Sequence, residues 1–581
     1  LPLELDFGAD FKDLFEVRGM ARHARGEDLQ DRIDAQALAF GYRGRDDRER
    51  IVWIDGRKAK FEIDLPARNE TYFLLTIGTE RQPLGAPNRT VHRRAAAAAR
   101  SPIHLTIPRG CQIVTSNELF DHWLHRARAD LALLVTDLPT GPYPYAGIPW
   151  YNTVFGRDAI ITALQMLWLD PDLARGVLGF LAAHQATDDS AFDDAEPGKI
   201  MHEARSGEMA VLGEVPYRRY FGGVDTTPLF IMLAGAHYAR TGDLDYARTI
   251  WPAVQAALAW IDHYGDADGD GFVEYRRRAE TGLANQGWKD SPDSVFHADG
   301  SDAKGPIALC EVQGYVFAAK RAAATLATAL GDVELAIKLQ TEAVTLRDRF
   351  EACFWCPEIG SYALALDGAK QPCRVRASNV GHLLYCGIVA PERAIVLAGQ
   401  LLGPNFWSGW GIRTLATTEA RYNPMSYHNG SVWPHDVALI GAGLGRYGHR
   451  AEACQLLDGL FDTASSFGDF RLPELFCGMR RRPGEVPTMY PAACLPQAWS
   501  SSAVFGLLGA CLGIEIDGAG QKVIVADPQL PAFLDTVELH NVRIGDRRVA
   551  LKFHRIDRTV GVGLMSADEG ISLSLCSGVD E

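Results

Sequence analysis

A helical period sustained from about Ser116 to Leu512 constrains this chain more than any other feature of it. Between Pro306 and Leu330, Leu309, Val312, Val316, Ala319, Ala323, Leu326 and Leu330 recur at spacings of three and four, with a proline at the start and Gly331 just after. Such a stripe buries one face of a helix. Some eleven or twelve segments share the pattern, among them 116–135, 157–168, 171–185, 227–241, 243–264, 333–354, 391–402, 430–446, 449–465 and 497–512. No fixed-period self-similarity of the solenoid kind accompanies them. About a dozen helices taken in pairs predict a toroid of six helical hairpins. Long loops rich in Gly, Pro, Trp and Asp separate the helices, at 141–151, 191–223, 266–305, 405–411 and 467–496, and loops of that length are usually functional.

The flanks read differently. Residues 1–92 alternate in the strand manner, as in Arg50-Ile51-Val52-Trp53-Ile54 and Glu70 to Ile77, with turns at Asp55-Gly56 and Gly85 to Asn88. The chain opens on Leu1-Pro2-Leu3-Glu4-Leu5 without a methionine, so the first strands of this β-rich domain are expected to lie upstream. Residues 93–115, with Ala95 to Ala99 inside, are expected to be a linker, 116–517 the helical domain, and 518–581 a small β-rich tail.

Composition excludes several classes. The 581 residues carry 58 basic and 73 acidic side chains, a net charge of -15 that repels a phosphate backbone, so nucleic acid is not an expected partner. No apolar run reaches the ~18 residues needed to cross a bilayer, and no membrane association is expected. Eleven scattered cysteines, with only Cys353 and Cys356 close, match neither a zinc site nor a paired framework. They suit reduced core cysteines in a cytoplasmic protein. Asp266-Ala267-Asp268-Gly269-Asp270-Gly271 copies half of a calcium loop, but Arg277 stands where a bidentate Glu belongs. No Gly-x-Ser-x-Gly elbow and no zinc-spaced histidines are present, so no metal or cofactor is called for.

Two loops could carry acid and base chemistry. Asn285-Gln286-Gly287-Trp288-Lys289-Asp290-Ser291-Pro292-Asp293 sets carboxylates beside an indole, and loss of water there raises a carboxyl pKa. In Arg471-Leu472-Pro473-Glu474-Leu475, Glu474 sits among apolar residues, with Arg471 and Arg480 to Arg482 as alternative ion partners. Asp290 and Glu474 could flank one glycosidic bond if the loops share a rim. Aromatic turns at Trp150 to Asp158, Tyr220 to Thr227, Trp407 to Gly411 and Tyr427 to Pro434 favour a carbohydrate pocket, since sugar faces pack on rings while hydroxyls meet charged groups.

Through Asp10 to Gly19, Phe155 to Asp158, Gly287 to Asp290, Leu472 to Leu475 and Gln497 to Ser500, the chain resembles bacterial glycogen debranching enzymes of the amylo-α-1,6-glucosidase type. The resemblance implies an (α/α)6 toroid preceded by a β-sandwich, as in glucoamylase-like inverting glycosidases. It implies Asp290 as general acid, with Asp293 the alternative, Glu474 as general base, and Arg157 with Asp158 holding the non-reducing sugar. Trp288, Trp433 and Trp410 would be subsite walls, and Asp225 and Glu203 further substrate contacts. The expected function is exo-acting hydrolysis, with inversion, of an α-linked glucoside or oligosaccharide. A phosphorylase and a noncatalytic glycan-binding protein are the rivals, and a homo-oligomer is compatible with the sequence.

Overall fold

The computed structural model describes residues 2–4, 9–22, 24–33, 37–55, 60–62, 76–78 and 110–576. The expected strand residues 70–75, the turn residues 56 and 85–88 and the alanine run 95–99 lie outside them. The chain divides into two compact units, one of residues 1–105 with 205–218, the other of residues 106–204 with 219–581.

In the first unit Glu27–Ile33, Ala37–Arg43, Glu49–Asp55 and Thr76–Gly78 form a four-stranded antiparallel sheet, and Pro2–Glu4 pairs with Lys60–Glu62. Residues 205–218, expected in a loop of the helical domain, belong to this unit because Glu208 is tied there. Its carboxylate accepts from Tyr42 Oη at 2.9 Å and from the Arg45 backbone at 2.7 Å, and pairs with Arg22 at 3.0 Å.

The second unit holds twelve helices of eight or more residues among the described residues. They are α1 (Glu118–Leu134), α2 (Gly156–Met166), α3 (Pro171–Ala183), α4 (Thr226–Thr241), α5 (Leu244–Trp260), α6 (Cys310–Leu330), α7 (Val333–Phe354), α8 (Asn379–Cys386), α9 (Pro391–Leu401), α10 (Pro434–Arg446), α11 (Arg450–Ser466) and α12 (Ala503–Leu512). Local signals set their ends. Asn117, Asp170, Asp243 and Asp332 accept backbone N–H groups at the starts of α1, α3, α5 and α7. Gly242, Gly331, Gly387 and Gly513 take left-handed conformations after α4, α6, α8 and α12. The predicted helix from Pro306 begins only at Cys310, because Ala308–Leu309 pairs as a strand with Ala365–Leu366.

Burial separates the helices into two kinds. In α2 every residue but Leu164 is buried, and in α8 every residue but Tyr385, whereas the 22-residue α7 buries only one stripe. A helix apolar all round belongs inside, and one with a stripe belongs at the surface. The even-numbered helices touch in succession, α2 on α4, α4 on α6, α6 on α8, α8 on α10, α10 on α12 and α12 on α2.

The C-terminal residues form strands, as expected. Thr536–Ile544, Arg547–Ile556 and Thr559–Ala567 form an antiparallel sheet that takes Gln112–Thr115 as its fourth strand. The last residues of the expected linker are therefore sheet, recruited by main-chain pairing with a segment far along the chain. Ile514–Asp517, Lys522–Ala526 and Ser572–Cys576 make a further three-stranded sheet. None of the eleven cysteines is in a disulfide, and no described helix is long and apolar enough to cross a membrane.

Candidate active site

The starts of the buried helices carry most of the chemistry. Arg157 and Asp158 lie in the first turn of α2, Asp225 immediately precedes α4, and Asp436 lies in the first turn of α10. Helix N-termini are positive, so carboxylates concentrate there at reduced cost. Gly156 lets this happen at α2, since a Cβ there would stand 2.2 Å from the Met201 carbonyl oxygen.

Arg157 is the hub. One Nη donates to Asp225 at 3.1 Å and to the Gly287 carbonyl at 3.0 Å, and the other donates to Asp290 Oδ2 at 3.0 Å. Burial opposes the cation, but Asp225, Asp290 and Asp158 outweigh it and raise the Arg157 pKa. The carboxylates respond mainly to lost water. Burial pushes Asp158 up to about 7 and raises Asp225 and Asp290, each against the pull of Arg157. Gln497 Nε2 donates to Asp158 at 3.2 Å. Of these groups Asp290 alone keeps substantial exposure, with 27% of its side chain open against 4% for Arg157 and 0% for Asp225.

Glu474 approaches from another loop, placed by main-chain bonds. Phe476 and Val432 exchange N–H···O bonds of 3.0 and 2.9 Å, and Leu495 N–H donates to Ile148 at 2.8 Å. Gly478 permits the close approach, because its Cβ would lie 1.8 Å from the Gly430 carbonyl oxygen. The carboxylate accepts from Tyr427 Oη at 2.5 Å and from the Cys494 N–H at 2.9 Å. Burial pushes it up to about 7, those two bonds pull it down, and the charges of Asp158 and Asp290 add to the rise. The expected alternative partner Arg471 is committed to Asp130, at 2.7 Å.

An aromatic block backs the carboxylates. Trp288 stacks on His382 at 5.6 Å and meets Trp433 at 5.8 Å and His435 at 5.1 Å edge-on, while Trp433 stacks on His428 and its Nε1 donates to the Tyr427 carbonyl at 2.9 Å. His382 is clasped between Tyr315 Oη at 2.5 Å and Asp436 at 2.8 Å. Several buried polar atoms of this cluster, Arg157 Nε, Trp288 Nε1, Gln497 Oε1 and Trp499 Nε1, have no hydrogen-bond partner among the described residues. Buried polar groups in folded proteins usually have a partner, so these atoms are hydrogen-bonding capacity that a hydroxylated ligand could use.

The structure thus joins Arg157, Asp158, Asp225, Asp290, Glu474, Trp288 and Trp433 in one cluster. Glu203 is buried on a short strand opposite Phe155, two residues before Arg157. Trp410 is outside the ring contacts, its face covered by the Arg481 guanidinium at 4.2 Å. Asp293, the alternative acid, is exposed and accepts from Asn429 at 3.0 Å, away from Arg157. Tyr427, Tyr151 and Gln497 were not singled out from sequence, although each lies in a quoted motif. A tyrosine in an aromatic turn gives no sign of the carboxylate it will meet.

The calcium-like loop has its own cation. Asp266, Asp268 and Asp270 bring oxygens within 4.8 Å of one another, but Lys370 Nζ stands 2.9 Å from Asp268 and 2.7 Å from Asp270 and also pairs with Glu274. Neither added calcium nor a chelator is therefore expected to shift the thermal unfolding midpoint, which differential scanning calorimetry would check. A clear rise with calcium would mean that the lysine yields its place.

Residues 151–478 match the model of the mannosylglycerate hydrolase MGH1-like glycoside hydrolase domain, and residues 1–76 match the N-terminal domain of some glycogen debranching enzymes. No curated protein matches the chain in sequence. Among solved structures it is similar to a GH78 family rhamnosidase of Bacillus sp. GL1, at 17% identity and TM-score 0.57, over 81% of this chain and 43% of that one. A sialidase matches at 11% identity and TM-score 0.58, over 91% and 51% of the two chains. An α-L-rhamnosidase from Dictyoglumus thermophilum matches at 12% identity and TM-score 0.53, over 80% and 45%. The chain thus spans about half the length of these proteins, and at such identities the likeness concerns fold. The family match spans more than half of the 581 residues and takes in both carboxylate loops, from Arg157 through Asp290 to Glu474, so this chain belongs to the MGH1-like glycoside hydrolase family.

Proposed function

We propose that this chain is an inverting, exo-acting hydrolase of an α-linked glycoside, with Asp290 as general acid and Glu474 as general base. The observation that carries the reading is Glu474 itself, a buried carboxylate with no ion-pair partner among the described residues, held by two hydrogen bonds and poised at about 7 in the electrostatic reach of Asp290. A base works best with a pKa near the operating pH. Asp290, raised by burial and open to a ligand, delivers its proton to the leaving oxygen, and Arg157 at 3.0 Å then stabilises the carboxylate that remains. Glu474 removes a proton from water on the opposite face, which in inverting enzymes calls for carboxyls ~6.5–9.5 Å apart. Asp158, Gln497 and the indoles of Trp288 and Trp433 would hold the terminal sugar.

The closed succession of buried helices supports an (α/α)6 toroid as the scaffold, with the site at the N-terminal ends of its inner helices. The N-terminal match favours an α-glucoside or a branched α-glucan as substrate, while the family match makes an α-mannoside the first competitor.

Proton NMR of the enzyme with a panel of α-glucosides and α-mannosides is expected to show the β-anomer released first. Asp290→Asn should lower kcat by about 10²–10⁴-fold. An α-anomer as first product would overturn the role of Glu474. Sugar phosphate formed only with added phosphate would show a phosphorylase, and no turnover on any glycoside would leave a binding protein.

A further inference from the structure

The run Arg480-Arg481-Arg482 is a strongly basic motif that the proposed chemistry leaves idle. None of the three pairs with Glu474, whose oxygens go to Tyr427 and Cys494. Together with Pro404, Trp407 and Pro483 they line a cavity of about 430 Å³. Arg481 lies on Trp410 at 4.2 Å and bonds Asp462 at 2.5 Å, fixing the middle of the run. Its two neighbours are exposed. Arg482 reaches only the exposed Glu485, at 3.6 Å, and Arg480 has no carboxylate within ion-pair distance among the described residues.

A fourth guanidinium lies beneath. Arg413 is 3% exposed, and its nitrogens donate to the carbonyls of Gly478 at 2.6 Å, Phe406 at 3.4 Å and Pro404 at 3.5 Å. It too has no carboxylate partner among the described residues; burial lowers its pKa, Tyr422 opposes that, and the Arg480 charge adds to the lowering. Four guanidiniums are thus gathered against two carboxylates among the described residues, those of Asp462 and Glu485, in a chain whose net charge is -15. Like charges repel at such range, and an anion in the cavity would relieve them. Guanidinium forks match carboxylate and phosphate oxygens two at a time, while the half-buried Trp407 and the prolines offer an apolar wall of the kind that packs against a sugar face.

We propose that this cavity is a second carbohydrate site, separate from the carboxylate cluster, that takes a sugar bearing an oxyanion. The anion meets Arg480 and Arg482, and the sugar ring lies against Trp407. Isothermal titration with glucuronate, glucose 6-phosphate, glucose and inorganic phosphate tests this on the full chain, with the exposed pair reversed in Arg480→Glu/Arg482→Glu. At least one anionic sugar should bind more tightly than both glucose and inorganic phosphate. Its affinity should fall roughly tenfold or more in the variant, which places two like charges against the anion. The variant's unfolding midpoint and glycosidase turnover should match the parent's, since neither arginine touches the cluster. Binding that survives the charge reversal, or phosphate binding as tightly as the anionic sugars, would overturn the proposal. So would the absence of binding by both anionic sugars.

Discussion

Glu474→Gln is expected to lose about 10²–10⁴-fold in kcat while gaining stability at pH 8, two effects of opposite sign from one cause. The Glu474 pKa lies at about 7 against an ordinary 4.5, so the folded chain holds this proton more tightly than the unfolded chain does. Stability therefore falls as pH rises from about 4.5 to 7, and above that the full cost is present, with an upper bound of about 3 kcal/mol. Glutamine carries no charge to desolvate. Its oxygen can accept the Cys494 N–H, and its amide can donate to Tyr427, whose hydroxyl lies 3.2 Å from that of Tyr151. Urea unfolding at pH 5 and pH 8 would check this, with the gain at pH 8 falling to about a quarter of its size at pH 5. In the parent enzyme the base must be ionised, so kcat/KM should rise with pH through an ionisation near 7. A variant less stable at pH 8, or a parent profile flat from pH 5 to 8, would show that Glu474 is not the strained base.

Arg157→Met should destabilise the protein by about 3–5 kcal/mol at pH 8, because it strands buried carboxylates without their cation. Asp225 and Asp290 lose a direct partner, and Asp158 loses the nearby charge that holds its pKa down. Their pKa values should rise further, so the folded variant takes up protons and the deficit should shrink toward pH 5. Activity should be lost as well, since Asp290 would lack the group that stabilises it after proton delivery. Unfolding measured across pH separates this from simple loss of packing, which would cost the same at both ends.

The helical domain was legible because its signals are local. Period, caps and C-terminal glycines act within a few residues, and they mark the buried face of α6 and its end at Gly331. The eight-residue α8 is too short for periodicity to mark, and the strand Gln112–Thr115 could not be read from its own neighbours, because its partner is Val537–His540. The residue types for acid and base were also visible, on Trp288-Lys289-Asp290 and Pro473-Glu474. Their pairing was not, and Arg471, adjacent in sequence to the Glu474 loop, went to Asp130 instead.

By itself the sequence determined which segments would be helical, where most of them would stop, and which carboxylates were available for chemistry. Tertiary structure alone decided what those carboxylates are. Arg157 meets Asp225 and Asp290 across 68 and 133 residues, and Tyr427 meets Glu474 across 47. Helix formation depends on backbone geometry and neighbours a turn away, whereas the proton affinity of a carboxylate depends on the water it has lost and the charges that stand around it. Both are properties of packing between distant segments, so a sequence can name candidate acid and base carboxylates without showing the environment that sets their proton affinities.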